Sequence, residues 1–167
     1  ILWLYEKRDG YFFLPPDDPS GNLPEGRSPL AEFLYEYEKT RLDKAIGQWL
    51  RWFGIGRGVS TQDIALGRQI QVATIDREKE SSLTSMGVGV SQILPVIVQC
   101  LLSEPGDILL FEQPELHLHP ALQKRLGEFL LFFSQQNRQI IVETHSEHLV
   151  NRLRLWKMQL SKVFDEN

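Results

Sequence analysis

Polar side chains that can bind a metal ion or activate water follow two short apolar runs in the second half of the chain. Residues 108–111 lead directly into Glu112, and residues 140–142 lead into Glu143 and His145. A buried strand that ends in an acid is how many nucleotide hydrolases place a ligand for Mg²⁺, which prefers oxygen ligands and retains several waters. Acids also accumulate at strand ends because the chain becomes solvated there, but two such ends together favour a functional site. Ligands of open α/β sheets bind outside the carboxyl ends of the strands, so both ends are expected to face one crevice.

A glycine-rich segment precedes both runs and leads into a helix predicted from Ser91. Two glycines beside a helix start allow the backbone to approach a phosphate closely, and the free N–H groups there favour an anion. Glycines before a helix are also common without any ligand, so this segment alone is weak evidence for phosphate binding. The chain contains no G-x-x-x-x-G-K-[ST] sequence, and the segment is therefore not a P-loop. The polar and glycine residues of the segment are Ser85, Gly87, Gly89, Ser91 and Gln92.

The histidines suggest a different chemistry, that of a metal-dependent hydrolase. His-x-His sequences can chelate Zn²⁺ or Mn²⁺, and Glu112 and Glu115 would supply carboxylate ligands beside them. A simpler interpretation of His119 is that it caps the helix begun by Pro120. The chain has four histidines: His117, His119, His145 and His148.

The second half of the chain alternates between helical and strand patterns, as expected for elements that position these residues. Short apolar runs are typical of buried parallel strands, and apolar stripes at helical spacing are typical of helices packed on a sheet. Strand, helix and strand with brief connections indicate a βαβ unit and a parallel sheet of the α/β class. The predicted elements are a helix over 91–103, a strand over 107–111, a helix from Pro120, a strand over 139–143 and a helix over 146–155.

The first half of the chain is less regular, and its predicted elements are shorter. Alternation of apolar and polar residues predicts strands, and Pro29 at a first helical position after Ser28 predicts a capped helix. The predictions are a hairpin of 1–5 with 10–14, a loop over 15–21, a helix from Pro29, a helix over 42–53 and a strand over 68–76.

Composition describes an ordinary globular chain of 167 residues, 42% of them hydrophobic and 24% charged. The net charge of −4 argues against a basic nucleic-acid-binding module, so a DNA contact would need a local patch. The single cysteine, Cys100, excludes an intrachain disulfide framework and is expected in the core. The apolar stretches are too short to cross a bilayer, so we expect a cytoplasmic protein without a membrane partner. Because the chain begins with Ile1, we also expect a piece of a longer protein.

The chain resembles the second half of an ABC-type ATPase head, of the kind found in the OLD, RecF and structural-maintenance group. The resemblance rests on three motifs in order: G-V-G-V-S-Q-I-L-P, F-E-Q-P-E-L-H-L-H-P and E-T-H-S-E-H-L. It covers residues 83–154 and is most similar to bacterial AAA/ABC-like ATPases. It implies a partial P-loop NTPase domain of the α/β class, with parallel strands, flanking helices and a helical subdomain. It divides the chain into an N-terminal region (1–82), a part of the ATPase core (83–156) and a C-terminal tail (157–167).

The resemblance also implies roles for individual residues. Residues 85–92 match the signature motif, so they are expected to contact the ATP of the opposite protomer. Glu112 matches the Walker B acid, normally Asp, which orders Mg²⁺ and its waters. His117 and His119 fall where the D-loop crosses the dimer interface, and His145 matches the switch histidine that contacts the γ-phosphate.

Gln113 is a departure from the family pattern, because it occupies the position of the catalytic glutamate. A glutamine can orient a water molecule but cannot accept its proton. Three interpretations remain open: turnover is slow, Glu115 serves as the base, or the protein is a switch more than a motor.

The Walker A strand, loop and helix are expected to lie N-terminal to Ile1. Without them the strands of the sheet should expose an edge or an apolar surface. The partner implied is therefore the Walker A half, or a full-length homodimer partner, with DNA or a nuclease as a further partner. The function implied is an ATP-dependent head in DNA repair, nuclease control or anti-phage defence. The alternatives are a non-enzymatic assembly partner with the same fold and the metal-dependent hydrolase.

Overall fold

The computed structural model describes residues 4–7, 10–13, 29–38, 40–64, 67–75 and 80–165. Within these residues the chain forms two β-sheets and five α-helices. The helices are α1 (Pro29–Glu36), α2 (Arg41–Phe53), α3 (Val88–Leu102), α4 (Pro120–Ser134) and α5 (Glu147–Asp165), and a 3-10 turn spans Leu83–Met86. The strands are β1 (Leu4–Lys7), β2 (Gly10–Phe13), β3 (Gly58–Ile64), β4 (Gly67–Ala73), β5 (Glu80–Ser82), β6 (Ile108–Glu112) and β7 (Gln139–Glu143).

The four-stranded sheet has the order β2-β1-β6-β7. Strands β6 and β7 are parallel, with α4 between them in sequence, which confirms the predicted βαβ unit. The other two pairs are antiparallel, and β1 with β2 forms the predicted N-terminal hairpin. The sheet is therefore mixed, with its parallel pair at one side.

The parallel pair buries only one of its two faces. Leu109 and Phe111 belong to the core, and Val142 packs against it from the next strand. On the opposite face Leu110 is paired in register with Ile141, which is 47% exposed. Among the described residues no strand pairs with the outer edge of β7. An open edge and an uncovered apolar face therefore coincide at β7, in agreement with the exposure expected from the sequence.

Helix α3 is the central helix of the molecule, because every residue from Ser91 to Cys100 is buried. A helix that is buried on every side, as this mostly apolar one is, must be surrounded by other elements. Burial raises the pKa of the Cys100 thiol, so this cysteine is a core residue, as expected. Helix α4 packs its predicted stripe into the same core, and the buried residues of that stripe are Leu126, Phe129, Leu130 and Phe133.

Two helix boundaries differ from those predicted. Helix α3 begins at Val88, three residues before the predicted start, and Gly87 precedes it with φ of +94°. Helix α5 continues to Asp165, beyond the predicted end at Leu155, so the division between 156 and 157 falls inside a helix. The physical reason at α3 is that Gly87 adopts the positive φ that turns the chain into the helix, which other residues rarely adopt.

The first half of the chain contains more strand than its sequence predicted. The strand predicted over 68–76 corresponds to β4, but β3 and β5 flank it in an antiparallel three-stranded sheet. Helices α1 and α2 are confirmed, and Pro29 is the first residue of α1 as predicted. The predicted loop over 15–21 and the predicted N-cap Ser28 lie outside the described residues. In the part of the chain that the structure describes, no helix has the length and apolarity that crossing a membrane requires.

Candidate functional site

The carboxyl ends of β6 and β7 place two carboxylates side by side. Glu112 and Glu143 are partners in the parallel register, so both side chains lie on the same face of the sheet, and both are exposed. The backbone N–H of Gln113 donates to the carbonyl oxygen of Glu143 at 2.8 Å, which extends the pairing by one residue. Glu143 was not among the residues assigned a role from the sequence. The signal that identifies it is its position, since it ends its apolar run as Glu112 ends the other.

The loop over residues 113–119 leaves the sheet in a strained conformation. Gln113 has φ of +45° and His117 has φ of +62°, values that residues with a side chain rarely adopt. Backbone hydrogen bonds stabilise the turns between them, from Leu116 N–H to the Gln113 carbonyl oxygen at 3.1 Å and from Leu118 N–H to the Glu115 carbonyl oxygen at 3.0 Å. Residues held in such conformations cluster at functional sites, and here two of them flank Glu115.

Glu115 connects this loop to the one that follows β7. Its side chain is only 6% exposed, and its Oε1 accepts hydrogen bonds from Thr144 Oγ1 at 2.6 Å and from the His145 backbone N–H at 3.0 Å. We call these two hydrogen bonds the Glu115 bridge. The carboxylate therefore points into the space between the two strand ends, and the His145 side chain stays exposed at the surface.

A cleft of about 440 Å³ opens beside the Glu115 bridge, and we call it the strand-end cleft. It brings together Gln113, His117 and His145, which the sequence predicted from separate motifs. A second cleft, of about 500 Å³, lies between α2 and the β3–β4–β5 sheet and shares no lining residue with the first. The residues that line the strand-end cleft are Gln113, Glu115, Leu116, His117, Gln123, His145, Ser146, Glu147 and His148.

The histidines do not form the metal cluster of the hydrolase alternative. Across the described ranges, no three His, Cys, Asp or Glu residues are placed so that they could hold a metal ion. His119 Nδ1 instead accepts the Ala121 backbone N–H at 3.3 Å at the start of α4, which confirms its interpretation as a cap. The adjacent carboxylates of Glu112 and Glu143 fit a different ion, because Mg²⁺ is held by one or two carboxylates together with waters and phosphate oxygens.

The glycine-rich segment lies directly against the 113–119 loop. A Cβ atom built on Gly89 would lie 3.1 Å from the His117 carbonyl oxygen and 3.2 Å from Leu118 Cδ2. Ser85 and Gly87 are exposed at the start of the segment, and Ser85 Oγ donates to the Ser82 carbonyl oxygen at 2.7 Å. The predicted signature region and the predicted D-loop are therefore neighbours in space.

Ser91 and Gln92, which the sequence predicted as nucleotide contacts, lie in the core and not at the surface. Both are at most 6% exposed, and Ser91 Oγ donates to the Val88 carbonyl oxygen at 2.8 Å. The reason is the early start of α3, which turns these two residues inward within the first turns of the helix. Surface access at the segment comes from Ser85, Gly87 and Val88.

Replacing Gly89 by alanine should therefore loosen the contact between the two segments. The added methyl group must displace the His117 backbone or the Leu118 side chain, and overpacking of this kind costs about 1–3 kcal/mol. We expect the free energy of unfolding, measured by urea denaturation, to fall by about that amount. Gly58→Ala is the matched control, since a Cβ atom there meets nothing within 4 Å and the stability should be unchanged or slightly raised. Equal stabilities for both variants would contradict the close contact.

The fold is that of an ABC-type ATPase head, an α/β class of P-loop NTPase-like domains. The model of the AAA ATPase domain family matches residues 30–150, and the chain therefore belongs to that family. No curated protein matches the chain in sequence.

Two solved structures show the same fold. One, from work on ATP-driven dimerisation and DNA-stimulated activation of SMC ATPases, is 18% identical, with a TM-score of 0.51 over 72% of this chain and 76% of that chain. The other, an SmcHead bound to the C-winged helix domain of ScpA, is 16% identical, with a TM-score of 0.52 over 72% of this chain and 38% of that chain. This chain therefore spans well under half of the second structure's length.

Proposed function

We propose that this chain supplies the signature, Walker B and switch-histidine parts of a head that binds Mg-ATP, hydrolyses it and dimerises around it. The observation that carries the proposal is the convergence of Glu112, Gln113 and His145 at the ends of two adjacent parallel strands. Membership of the AAA ATPase domain family supports it. When bound, Mg²⁺ neutralises the charge that develops on the transferred phosphoryl group.

The residues near the carboxyl ends of β6 and β7 then have distinct roles. Glu112 and Glu143 hold the ion through their carboxylates or through its waters. Gln113 orients the attacking water through its amide, and His145, which lines the same strand-end cleft, contacts the γ-phosphate. Ser85 and Gly87 face the nucleotide of the opposite protomer, with His117 at the interface.

The open side of β7 is the proposed docking place of the P-loop unit, whose sequence the chain does not contain. A parallel strand added at the outer edge of β7 would satisfy its free backbone groups. The helix that follows a P-loop would then cover the face on which Leu110 is half-buried and Ile141 is exposed. The partner proposed is therefore the Walker A half, in the same protein or in a second copy.

The 167-residue chain alone should bind Mg-ATP no tighter than about millimolar, because the P-loop makes most of the phosphate contacts. Isothermal titration of the chain with Mg-ATP measures this, and the complete natural protein under the same conditions is the positive control. Micromolar affinity of the chain alone would contradict the proposed division of the nucleotide site.

The cellular role follows the resemblance: DNA repair, nuclease control or anti-phage defence in the cytoplasm, with DNA or a nuclease as partner. Arg154 and Lys157 of α5 are exposed basic residues, and we propose them as a local contact for DNA in a chain of net charge −4. Stimulation of ATP turnover by duplex DNA, and its loss in an Arg154→Ala, Lys157→Ala double variant, would support this role. Turnover that does not respond to DNA would contradict it.

One observation favours a second candidate function, an ATP-dependent assembly module with little or no hydrolysis. Gln113 takes the place of the catalytic glutamate, and its amide cannot accept a proton from water. Steady-state turnover of the complete protein distinguishes the two functions, because the assembly module would bind Mg-ATP without releasing phosphate.

A further inference from the structure

We propose that Glu115 is a positioning residue that fixes the backbone of His145, and not the general base that takes the place of the missing glutamate. Thr144 and His145 lie 29 and 30 residues beyond Glu115 in sequence, yet both donate to the same carboxylate oxygen. The Glu115 bridge is therefore a tertiary connection between the loops that follow β6 and β7.

The geometry of the carboxylate argues against a catalytic base. A general base must come within hydrogen-bond distance of the proton that it removes. Oε1 of Glu115 already accepts two hydrogen bonds, and Oε2 is buried without a hydrogen-bond partner among the described residues. Glu115 borders the strand-end cleft, but its side chain is only 6% exposed, its Oε1 is occupied by two hydrogen bonds and its Oε2 is buried, so neither oxygen is placed to take a proton from a water in the cleft.

Further hydrogen bonds extend the Glu115 bridge into a closed ring. Thr144 Oγ1 accepts the Ser146 backbone N–H at 3.0 Å, and Ser146 Oγ donates to Gln123 Oε1 at 2.6 Å. Gln123 Nε2 then donates to the Leu118 carbonyl oxygen at 2.9 Å, which returns the connection to the 113–119 loop. The two loops are thus joined at two points, and neither can shift without breaking hydrogen bonds in a largely buried place.

The bridge has a direct consequence for the strand-end cleft. It holds the backbone at His145, whose side chain lines the cleft, and it anchors a loop that is strained on either side of Glu115, at Gln113 and His117. Hydrogen bonds from the surrounding structure are what maintain such strained conformations. Glu115 therefore sets the position of the imidazole without contacting the substrate itself.

Amide hydrogen exchange, measured in the absence of nucleotide, distinguishes a positioning residue from a general base. In the complete protein, Glu115→Ala should raise amide exchange in peptides that cover residues 144–149 about tenfold or more, because both hydrogen bonds of the Glu115 bridge are lost. Glu115→Gln keeps an oxygen acceptor at Oε1, so the amides of residues 144–149 should exchange at the wild-type rate. Unchanged exchange in Glu115→Ala would overturn the proposal.

Steady-state kinetics provides the second readout, and this arm rests on the proposed ATPase function. Glu115→Gln should retain kcat within about threefold, whereas a lost general base costs about a hundredfold or more. Glu115→Ala should lower kcat more than it changes KM, because the imidazole that it displaces acts on the transferring phosphate. A Glu115→Gln variant with normal exchange and a kcat lowered a hundredfold would identify Glu115 as the base and overturn the proposal.

A pair of variants at Thr144 tests the bridge even if Glu115→Ala fails to fold. Thr144→Val removes the hydroxyl that donates to Glu115 while it keeps the size of the side chain, and Thr144→Ser keeps the hydroxyl. We expect faster exchange over residues 144–149 in the valine variant and wild-type exchange in the serine variant. Equal exchange in the two variants would overturn the proposal independently of ATP turnover.

Discussion

Glu112→Ala in the complete natural protein is expected to lower Mg²⁺-dependent ATP turnover at least about a hundredfold, because a metal-ordering carboxylate contributes several kcal/mol of transition-state stabilisation. The residue ends β6 at the rim of the sheet and is exposed, so its removal should leave the core intact. Phosphate release at saturating Mg-ATP measures the effect. Raising the Mg²⁺ concentration should restore little of the activity. Excess Mg²⁺ compensates for a weaker affinity of the protein for the ion, but not for the lost orientation of the bound ion.

Glu36→Ala is the matched control for this experiment. Glu36 is also an exposed glutamate, but it lies at the end of α1 and lines neither the strand-end cleft nor the open side of β7. It should leave turnover unchanged. Wild-type turnover in the Glu112→Ala variant would contradict the metal role of Glu112, and Glu143 would become the candidate ligand.

Gln113→Glu is expected to produce the largest gain. General-base catalysis contributes about a hundredfold to ten-thousandfold, and the substitution places a carboxylate at the position where the family pattern has one. Gln113 is half-buried at the strand-end cleft, close to the backbone of Glu143, so the new side chain can reach a water beside the γ-phosphate. We expect kcat to rise within that range, with a smaller change in KM.

Gln48→Glu serves as the control for the added negative charge. Gln48 is exposed on α2 and does not line the strand-end cleft, so the same change of charge there should leave kcat unaltered. If Gln113→Glu matches the wild type in turnover, Gln113 does not contact the attacking water and its assignment is wrong. A rise in kcat for Gln113→Glu, together with wild-type kcat for Glu115→Gln, would place Gln113 at the attacking water and leave Glu115 as a positioning residue.

The parallel half of the fold could be predicted because its signals are local. The apolar runs that form β6 and β7 are short and continuous, and a helix that begins at Pro120 separates them. This order makes the βαβ unit the natural interpretation. The glutamates that end those runs were visible for the same reason. Residues that follow strand ends are therefore the part of the site that sequence alone can locate.

Strands β3 and β5 were missed because pairing, and not apolar periodicity, stabilises them. β3 is mostly polar, and its side chains find partners across the sheet, such as the ion pair of Asp63 with Arg68 and the hydrogen bond from Ser60 to Glu80. Such cross-strand pairs exist only after the strands are in register, so a single strand shows no pattern. The Glu115 bridge was hidden for a similar reason, since its donors are about 30 residues away in sequence.

Helix α5 is attached at its first turn to the 144–146 loop, so the direction of the helix depends on the position of that loop. The helix starts immediately after Ser146, whose Oγ accepts the Leu149 backbone N–H at 3.0 Å, so its first turn is attached to the loop that Glu115 holds. Its 19 residues span about 28 Å, and a tilt of about 10° at the first turn would move the far end by about 5 Å. Leu155 and Met158 are exposed in the middle of the helix. The position of the loop after β7 is thus coupled to the packing of α5 on α4, which Leu149 and the ion pair of Arg152 with Glu128 hold together.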